Sequence, residues 1–101
     1  MRGGAALHSK VNIGQVVKSL SGRDKDRFFL ILDIKDCDMV QIVDGELRKL
    51  QNPKLKKLKH LMILNKVSEN MDKINYNDLQ SQNAFIRKEL ERLGCGNKKE
   101  V

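Results

Sequence analysis

The sequence lacks tryptophan and has one tyrosine and three phenylalanines in its 101 residues. So few rings argue against a protein that binds a single nucleic-acid strand by stacking many bases. The sequence also lacks a Walker loop, a dinucleotide-binding glycine motif, a nucleophile elbow and paired catalytic carboxylates. A predicted folded body of roughly 55 residues has little room for a drug-sized pocket. We therefore expect no enzymatic activity and no small-molecule substrate.

Cysteine is scarce as well, since Cys37 and Cys95 are the two present and no C-x-x-C spacing occurs. His8 and His60 lie far from either cysteine in the chain. These residues do not make up a zinc site, so we expect no bound metal and no cofactor. Free thiols are typical of the reducing cytoplasm, which is the compartment that we predict.

Long apolar runs are missing too. No stretch approaches the roughly 20 apolar residues needed to span a bilayer, and Ala5-Ala6-Leu7 is too short for the core of a signal peptide. We expect a soluble cytoplasmic protein with no membrane partner. Residues 1–10 contain Gly3-Gly4 and have no periodicity, which predicts a disordered lead-in.

Positive charge is what the chain has in excess. The formal net charge is +7 and the sequence pI is about 9.6, which favours a polyanionic partner. The charge concentrates in residues 47–67, the basic segment, which has seven basic residues and no aspartate or glutamate. Leucines recur through the segment: Leu47, Leu50, Leu55, Leu58, Leu61 and Leu64. A disordered tail would not need them, so we predict that they anchor the segment to a folded body while its lysines face outward. The alternative is a solvated surface that only raises solubility.

Three short stretches have the composition of β-strands, namely residues 13–20, 28–34 and 39–43. The middle stretch is almost continuously apolar, so we expect both of its faces to be covered. Phe28 and Phe29 are neighbours in it and must point to opposite faces. One of the two rings is therefore expected in the core.

Further strands are predicted after the third stretch. Asp44-Gly45 predicts a type I′ hairpin turn into a strand over residues 46–50. Asn52-Pro53 permits a short helical turn, which we expect to be followed by a last strand over residues 61–64. Short strands at about ten-residue spacing predict a small antiparallel barrel, which we assign to residues 11–66.

The remainder of the chain predicts one helix. Residues 67–77 are polar and read as a linker, residues 78–93 as an amphipathic helix, and residues 94–101 as a frayed tail. Asn77 or Asp78 is the predicted N-cap, and Gly94 ends the helix. The apolar face consists of Leu79, Ile86, Leu90 and Leu93, with Phe85 at its edge. We expect this face to pack against the barrel; the alternative is that it binds a partner or a second copy.

Several of these runs, taken in order, resemble a KOW motif. The first part is Gly14-Gln15-Val16-Val17, then Ser21-Gly22-Arg23-Asp24-Lys25-Asp26, then the apolar strand through Ile34. The companion part is Val40-Gln41-Ile42-Val43-Asp44-Gly45, Leu47-Arg48-Lys49-Leu50, Asn52-Pro53-Lys54 and Lys57-Leu58-Lys59-His60-Leu61. Over residues 13–64 the chain is similar to small bacterial KOW-domain RNA-binding proteins. These are similar in turn to an archaeal and eukaryotic large-subunit ribosomal protein family with an SH3-like barrel.

The resemblance implies a mainly β fold, an SH3-like antiparallel barrel of about five strands, with the C-terminal amphipathic helix outside the motif. It also implies contact with structured, ribosomal RNA or the ribosomal particle, and no catalysis. One position departs from the motif. KOW motifs usually have a glycine between the charged loop and the second strand, and this chain has Asp26-Arg27 there.

Two groups of residues are candidates for contact with RNA phosphates. The loop around Gly22 offers Arg23, Lys25 and Arg27, and its alternative role is that of a charged hairpin turn. The basic segment offers Arg48, Lys49, Lys54, Lys56, Lys57 and Lys59, each of which could displace a counterion from RNA. His60 could stack on a base or contact phosphate, and its alternative is a partly buried structural histidine. The Gly22 loop lacks the glycine and glutamate spacing of an EF-hand, so we expect no metal there.

A second hypothesis is a protein-interaction adaptor. It would use the barrel and the apolar helix face, and the lysines would face an acidic protein. The two hypotheses differ in their response to salt, because phosphate contacts weaken steeply with ionic strength and apolar contacts do not.

Overall fold

The computed structural model describes residues 11–97, and in them five antiparallel strands are followed by one α-helix. The strands are β1 (Gln15–Ser19), β2 (Phe28–Ile34), β3 (Met39–Val43), β4 (Lys54–Lys57) and β5 (Leu61–Val67), and the helix is α1 (Leu79–Arg92). The mainly β fold with a C-terminal helix is therefore confirmed. The lead-in predicted for residues 1–10 and the last part of the predicted tail, 98–101, lie outside the described residues.

The strands form one sheet in the order β4-β3-β2-β1-β5. Each strand pairs antiparallel with its neighbours, and β4 and β5 are the two outer strands of the described sheet. Register shifts occur in the pairing of β1 with β5 and of β2 with β3. Such irregularities bend a strand and increase its twist. A 3-10 helix, Leu58–His60, connects β4 to β5, and β5 includes the last strand predicted over residues 61–64.

The strand and type I′ turn predicted after β3 are wrong. A type I′ turn needs positive φ at both central residues, and among the described residues only Asp26 and four glycines, not Asp44, have it. The Asp44 carboxylate explains the difference. Its Oδ1 accepts the backbone N–H groups of Glu46 (2.9 Å) and Arg48 (2.8 Å), so residues 46–50 curl around the side chain instead of extending. The strand forms later, as β4, where the sequence predicted a helical turn.

The sheet is covered on both faces, as the almost continuously apolar sequence of β2 predicts. On one face, Val16, Leu30 and Val43 belong to a helix-side cluster that also contains residues of α1. On the other face, an inner cluster consists of Val11, Val17, Phe29, Ile31, Val40, Ile42 and Leu61. The rings of Phe28 and Phe29 lie on opposite faces of the sheet, as the alternation of side chains along a strand requires. Phe29 is fully buried in the inner cluster, and Phe28 packs against the helix-side cluster.

The apolar face of α1 packs against the sheet of its own chain. Ile86 and Leu90 are 0% and 1% exposed, and Leu79, Phe85 and Leu93 pack around them. The predicted docking of the helix on the β domain is therefore confirmed. Burial of two aliphatic side chains contributes roughly 3–5 kcal/mol to this contact. No helix among residues 11–97 is long and apolar enough to cross a membrane.

Polar contacts fix the position of the helix on the loop after β3. The Asn83 carboxamide accepts the Leu50 N–H at 2.8 Å and donates to Gln51 Oε1 at 2.7 Å. Gly45, with φ +76°, passes directly beneath the Asn83 carbonyl oxygen, where a Cβ atom would collide with it. The glycine is therefore required by the close approach of the helix as well as by its backbone conformation.

The segments on either side of α1 are part of the folded body, contrary to the predicted linker and tail. Residues 67–77 contain a 3-10 helix, Met71–Lys73, and bury Met71 and Ile74 in the helix-side cluster. After the helix, Cys95 is buried, and the Asn97 side chain pairs with the Phe28 backbone through bonds of 2.7 and 2.8 Å. The structure therefore continues at least to residue 97.

Glu89 fastens α1 to the turn after β5. Its Oε1 accepts hydrogen bonds from Ser68 Oγ (2.7 Å), Asn70 Nδ2 (3.0 Å) and Arg92 Nη2 (2.8 Å). The Arg92 bond, helped by Ser68 and Asn70 against the cost of burial, lowers the pKa of Glu89 from 4.5 to about 2. The folded state therefore favours the ionised carboxylate.

Replacing Glu89 by glutamine should destabilise the protein in a pH-dependent way. Because the pKa of Glu89 is lower in the folded than in the unfolded state, its stabilisation is complete above pH 4.5 and is lost as pH falls towards 2. At neutral pH we expect Glu89→Gln to lower the unfolding free energy by roughly 1–3 kcal/mol, and the difference should shrink on acidification. Urea unfolding from pH 7 to pH 3 measures it.

The matched control is Glu91→Gln, which changes an exposed glutamate of the same helix. This variant should follow the native protein within about 0.5 kcal/mol across the pH range. A Glu89→Gln effect that stayed constant from pH 7 to pH 3 would contradict the role of the ionised carboxylate.

Candidate nucleic-acid interface

Strand alternation divides the cations of the basic segment between two faces. In β4, Lys54 and Lys56 point to one side, and Leu55 and Lys57 point to the other. Lys54 is paired with Ile42 and Lys56 with Val40, and both partners belong to the inner cluster. These two lysines therefore lie on the face of the sheet opposite to α1, and the segment is not one continuous cationic strip.

Lys56 is buried and forms an ion pair. Its Nζ lies 3.3 Å from Asp24 Oδ1 and donates to the Ser21 carbonyl oxygen at 3.0 Å. The Lys56 and Asp24 side chains are only 9% and 7% exposed. Ser19 Oγ donates to the same carboxylate at 2.9 Å. The prediction that Lys56 faces outward as a free phosphate ligand does not agree with this burial, because its charge is already used inside the fold.

The Asp24 carboxyl remains ionised in this buried setting. Burial opposes its ionisation, but the hydrogen bond from Ser19 and the positive charge of Lys56 outweigh it, and the pKa of Asp24 stays below its ordinary value. Lys56 thus helps to keep the Asp24 carboxylate charged. The pair also ties the Gly22 loop to β4, since its two residues are 32 positions apart in the chain.

A cleft forms where the Gly22 loop meets the basic segment. This basic cleft has a volume of about 460 Å³ and is lined by Gly22, Arg23, Asp24, Leu47, Arg48, Lys54 and Lys56. Among residues 11–97, the side chains of Arg23, Arg48 and Lys54 make no ion pair. Because Lys56 offsets the charge of Asp24, the cleft retains three uncompensated positive charges.

The other candidate residues lie elsewhere. Arg27 is engaged with Asp44 at 2.8 Å and with Glu46 at 3.2 Å, so its charge is largely compensated. Lys49 lines a second cavity of about 790 Å³, which it shares with Arg87 and with Asp44, Glu46 and Glu91. The signs of charge are mixed there. The structure therefore does not bring either residue to the basic cleft.

The last candidates do not line the cleft. Lys25 is exposed in the Gly22 loop, and Lys57 and Lys59 are exposed at the end of β4 and in the following 3-10 helix. His60 is half-buried, and its carbonyl oxygen accepts the Leu20 N–H at 2.9 Å. Contact of the His60 side chain with RNA stays a prediction, and the three lysines are exposed to solvent.

Only part of the predicted leucine anchoring is present. Leu50 and Leu61 are buried and Leu58 packs against the inner cluster, whereas Leu47 and Leu55 are 59% and 52% exposed. Sequence reasoning assigned Leu47 to the core and missed its place in the lining of the basic cleft. Its neighbours Glu46 and Arg48 were the available signal, because a single leucine between charged residues in a loop has no apolar partner nearby in sequence.

The Gly22 loop contains a backbone conformation that is unusual for its residue type. Asp26 has φ +72°, in the left-handed region. Aspartate enters this region more readily than most residues. Its N–H donates to the Ser19 carbonyl oxygen at 2.8 Å, which closes the loop before β2.

One group of side chains has the composition of a metal site. Asp36, Cys37 and Asp38, all exposed in the turn between β2 and β3, bring ligand atoms within 4.8 Å of one another. The Asp36 side chain accepts the Asp38 N–H at 3.0 Å, as in an ordinary Asx turn. Cys37 and Cys95 are free cysteines, as the sequence predicts.

Comparison with known proteins gives no match, either to a family model or to a curated protein.

Removing one member of the buried ion pair should destabilise the fold strongly. Lys56→Met leaves the Asp24 carboxylate buried without its cation, and we expect a loss of about 3 kcal/mol in urea unfolding. Lys57→Met is the matched control, since its lysine is the exposed neighbour in the same strand, and should change stability by less than about 0.5 kcal/mol. The double variant Lys56→Met/Asp24→Leu should regain most of the loss. Equal effects of Lys56→Met and Lys57→Met would contradict the assigned role.

Proposed function

We propose that this protein binds structured RNA, without catalysing a reaction, by holding phosphates at the basic cleft. The observation that supports the proposal is the convergence of two candidate groups that are separate in sequence. Arg23 comes from the Gly22 loop, and Arg48 and Lys54 come from the basic segment. Like charges repel, so a fold that gathers three unpaired cations around one concave surface is suited to an anionic ligand.

Exposed cations outside the cleft favour the same ligand. Lys25, Lys57 and Lys59 are exposed and add to the positive field through which a polyanion approaches. Each cation that contacts a phosphate releases a condensed counterion, which makes binding favourable at low salt. The scarcity of aromatic residues favours contact with phosphates over base stacking on rings.

The choice of RNA over DNA rests on the resemblance to KOW-domain proteins. That resemblance also suggests ribosomal RNA or a ribosomal particle as the partner, and a role in translation. On the same resemblance, we propose that the sheet closes into a barrel. Folded RNA is recognised largely through shape and phosphate contacts, which suits a site built from arginine and lysine on a small rigid sheet.

The adaptor hypothesis has less support from the structure. Its strongest surface was the apolar face of α1, and that face is covered by the sheet of the same chain, with Ile86 and Leu90 buried. A partner could reach them only by displacing the helix. We therefore retain RNA binding as the single proposed function.

Neutralising the cleft should weaken RNA binding and flatten its dependence on salt. With a fluorescently labelled RNA hairpin as the probe, we expect affinity to fall with a log–log slope of about −3 or steeper between 50 and 200 mM KCl. The triple variant Arg23→Gln/Arg48→Gln/Lys54→Gln should reduce the magnitude of that slope by about 2–3. Fluorescence anisotropy measures both quantities.

The matched control is Lys35→Gln/Lys73→Gln/Lys88→Gln, which removes the same net charge at exposed positions that do not line the cleft. Its slope should remain close to that of the native protein. If both triple variants weaken binding equally, the effect is one of net charge and the cleft is not the site. Lys56 is unsuitable for such a test because its replacement would disturb the fold.

A further inference from the structure

We propose that the basic cleft receives a single unpaired nucleotide that protrudes from the RNA, rather than the backbone of a continuous helix. This inference rests on the proposed function and specifies its ligand. The cleft is concave, with a volume of about 460 Å³, which falls within the range of cavities that enclose a small molecule. The ridge of phosphates on a regular duplex lies across a surface and does not fill a cavity of this shape.

The lining of the cleft matches the parts of a nucleotide. Arg23, Arg48 and Lys54 provide cations for its phosphate. Leu47 is 59% exposed and offers an apolar wall against which a base can pack. A site for phosphate alone would gain nothing from an exposed leucine, whereas a base removed from its stack would otherwise expose its face to water.

Asp24 lines the cleft, but its carboxylate is engaged within the fold: Oδ1 accepts hydrogen bonds from Ser19 and Lys56, and Oδ2 is closed to solvent. The cleft therefore presents cations and one apolar side chain to a ligand.

Gly22 lines the cleft and has no side chain that would occupy it. It has φ +86°, and a Cβ atom placed on it would lie 3.6 Å from both Asp24 Oδ1 and Lys56 Nζ, at ordinary van der Waals distance. An already unpaired nucleotide would enter at little cost, because it has no base pair to break.

The test compares three forms of one labelled RNA hairpin: a continuous stem, the same stem with a single-nucleotide bulge, and the bulge with its base removed. We expect the bulged hairpin to bind at least about tenfold more tightly than the continuous stem at 150 mM KCl. The abasic bulge should lose most of this gain, which separates base contact from mere flexibility of the RNA. Fluorescence anisotropy supplies the three affinities.

The protein side of the test uses two exposed leucines. Leu47→Ala should abolish the preference for the bulge, so that the bulged and continuous hairpins bind alike, whereas Leu55→Ala, with a leucine of similar exposure outside the cleft, should leave the preference unchanged. Equal affinity for stem and bulge, with salt-dependent binding intact, would overturn this inference and leave the proposed function standing. A preference for the bulge that survives Leu47→Ala would also overturn it. Failure to bind any of the three hairpins would overturn both proposals.

Discussion

The ion pair between Lys56 and Asp24 is the interaction on which the shape of the basic cleft depends. Its atoms are 3.3 Å apart, and both side chains are almost closed to solvent. Separating them would leave a buried charge without a partner, so β4 and the Gly22 loop are held together. Within the pair, the positive charge of Lys56 and the negative charge of Asp24 offset each other. Arg23, Arg48 and Lys54 therefore remain at the cleft with no carboxylate to offset them.

The two faces of the sheet have different roles. The helix-side cluster covers one face with Ile86 and Leu90 of α1, and the lysines of β4 that reach the cleft share the opposite face with Val40 and Ile42. A ligand in the cleft would therefore not compete with the helix for the sheet. The helix, its glutamate network and the docked residues 94–97 support the scaffold, while the proposed recognition stays in two loops and the edge strand.

Much of the fold could be predicted because its strongest elements have local patterns. The apolar run of β2, the short β3 and the periodic apolar face of α1 all agree with the structure. The strand predicted over residues 46–50 does not form, because the Asp44 carboxylate accepts N–H groups that a hairpin would have used. The four-residue β4 was missed because its pairing with β3, rather than its own composition, makes it a strand.

The candidate site was predictable as a set of residue types but not as a surface. The excess of lysine and arginine between residues 47 and 67 indicated an anionic partner, yet nothing local shows that Lys56 turns inward to meet Asp24. That contact joins residues 32 positions apart, and it decides which of the neighbouring cations are free. Leu47 shows the opposite error. Its apolar side chain suggested a place in the core, but the loop that contains it leaves it exposed to solvent.

The most direct test of the proposed RNA binding at the basic cleft is an NMR titration of the ¹⁵N-labelled protein with the bulged hairpin. We predict that the largest changes in amide chemical shift occur at Gly22, Arg23, Leu47, Arg48 and Lys54, with small changes along α1. Changes centred on Lys57 and Lys59 or on the exposed face of α1, with the amides of the basic cleft unmoved, would contradict it.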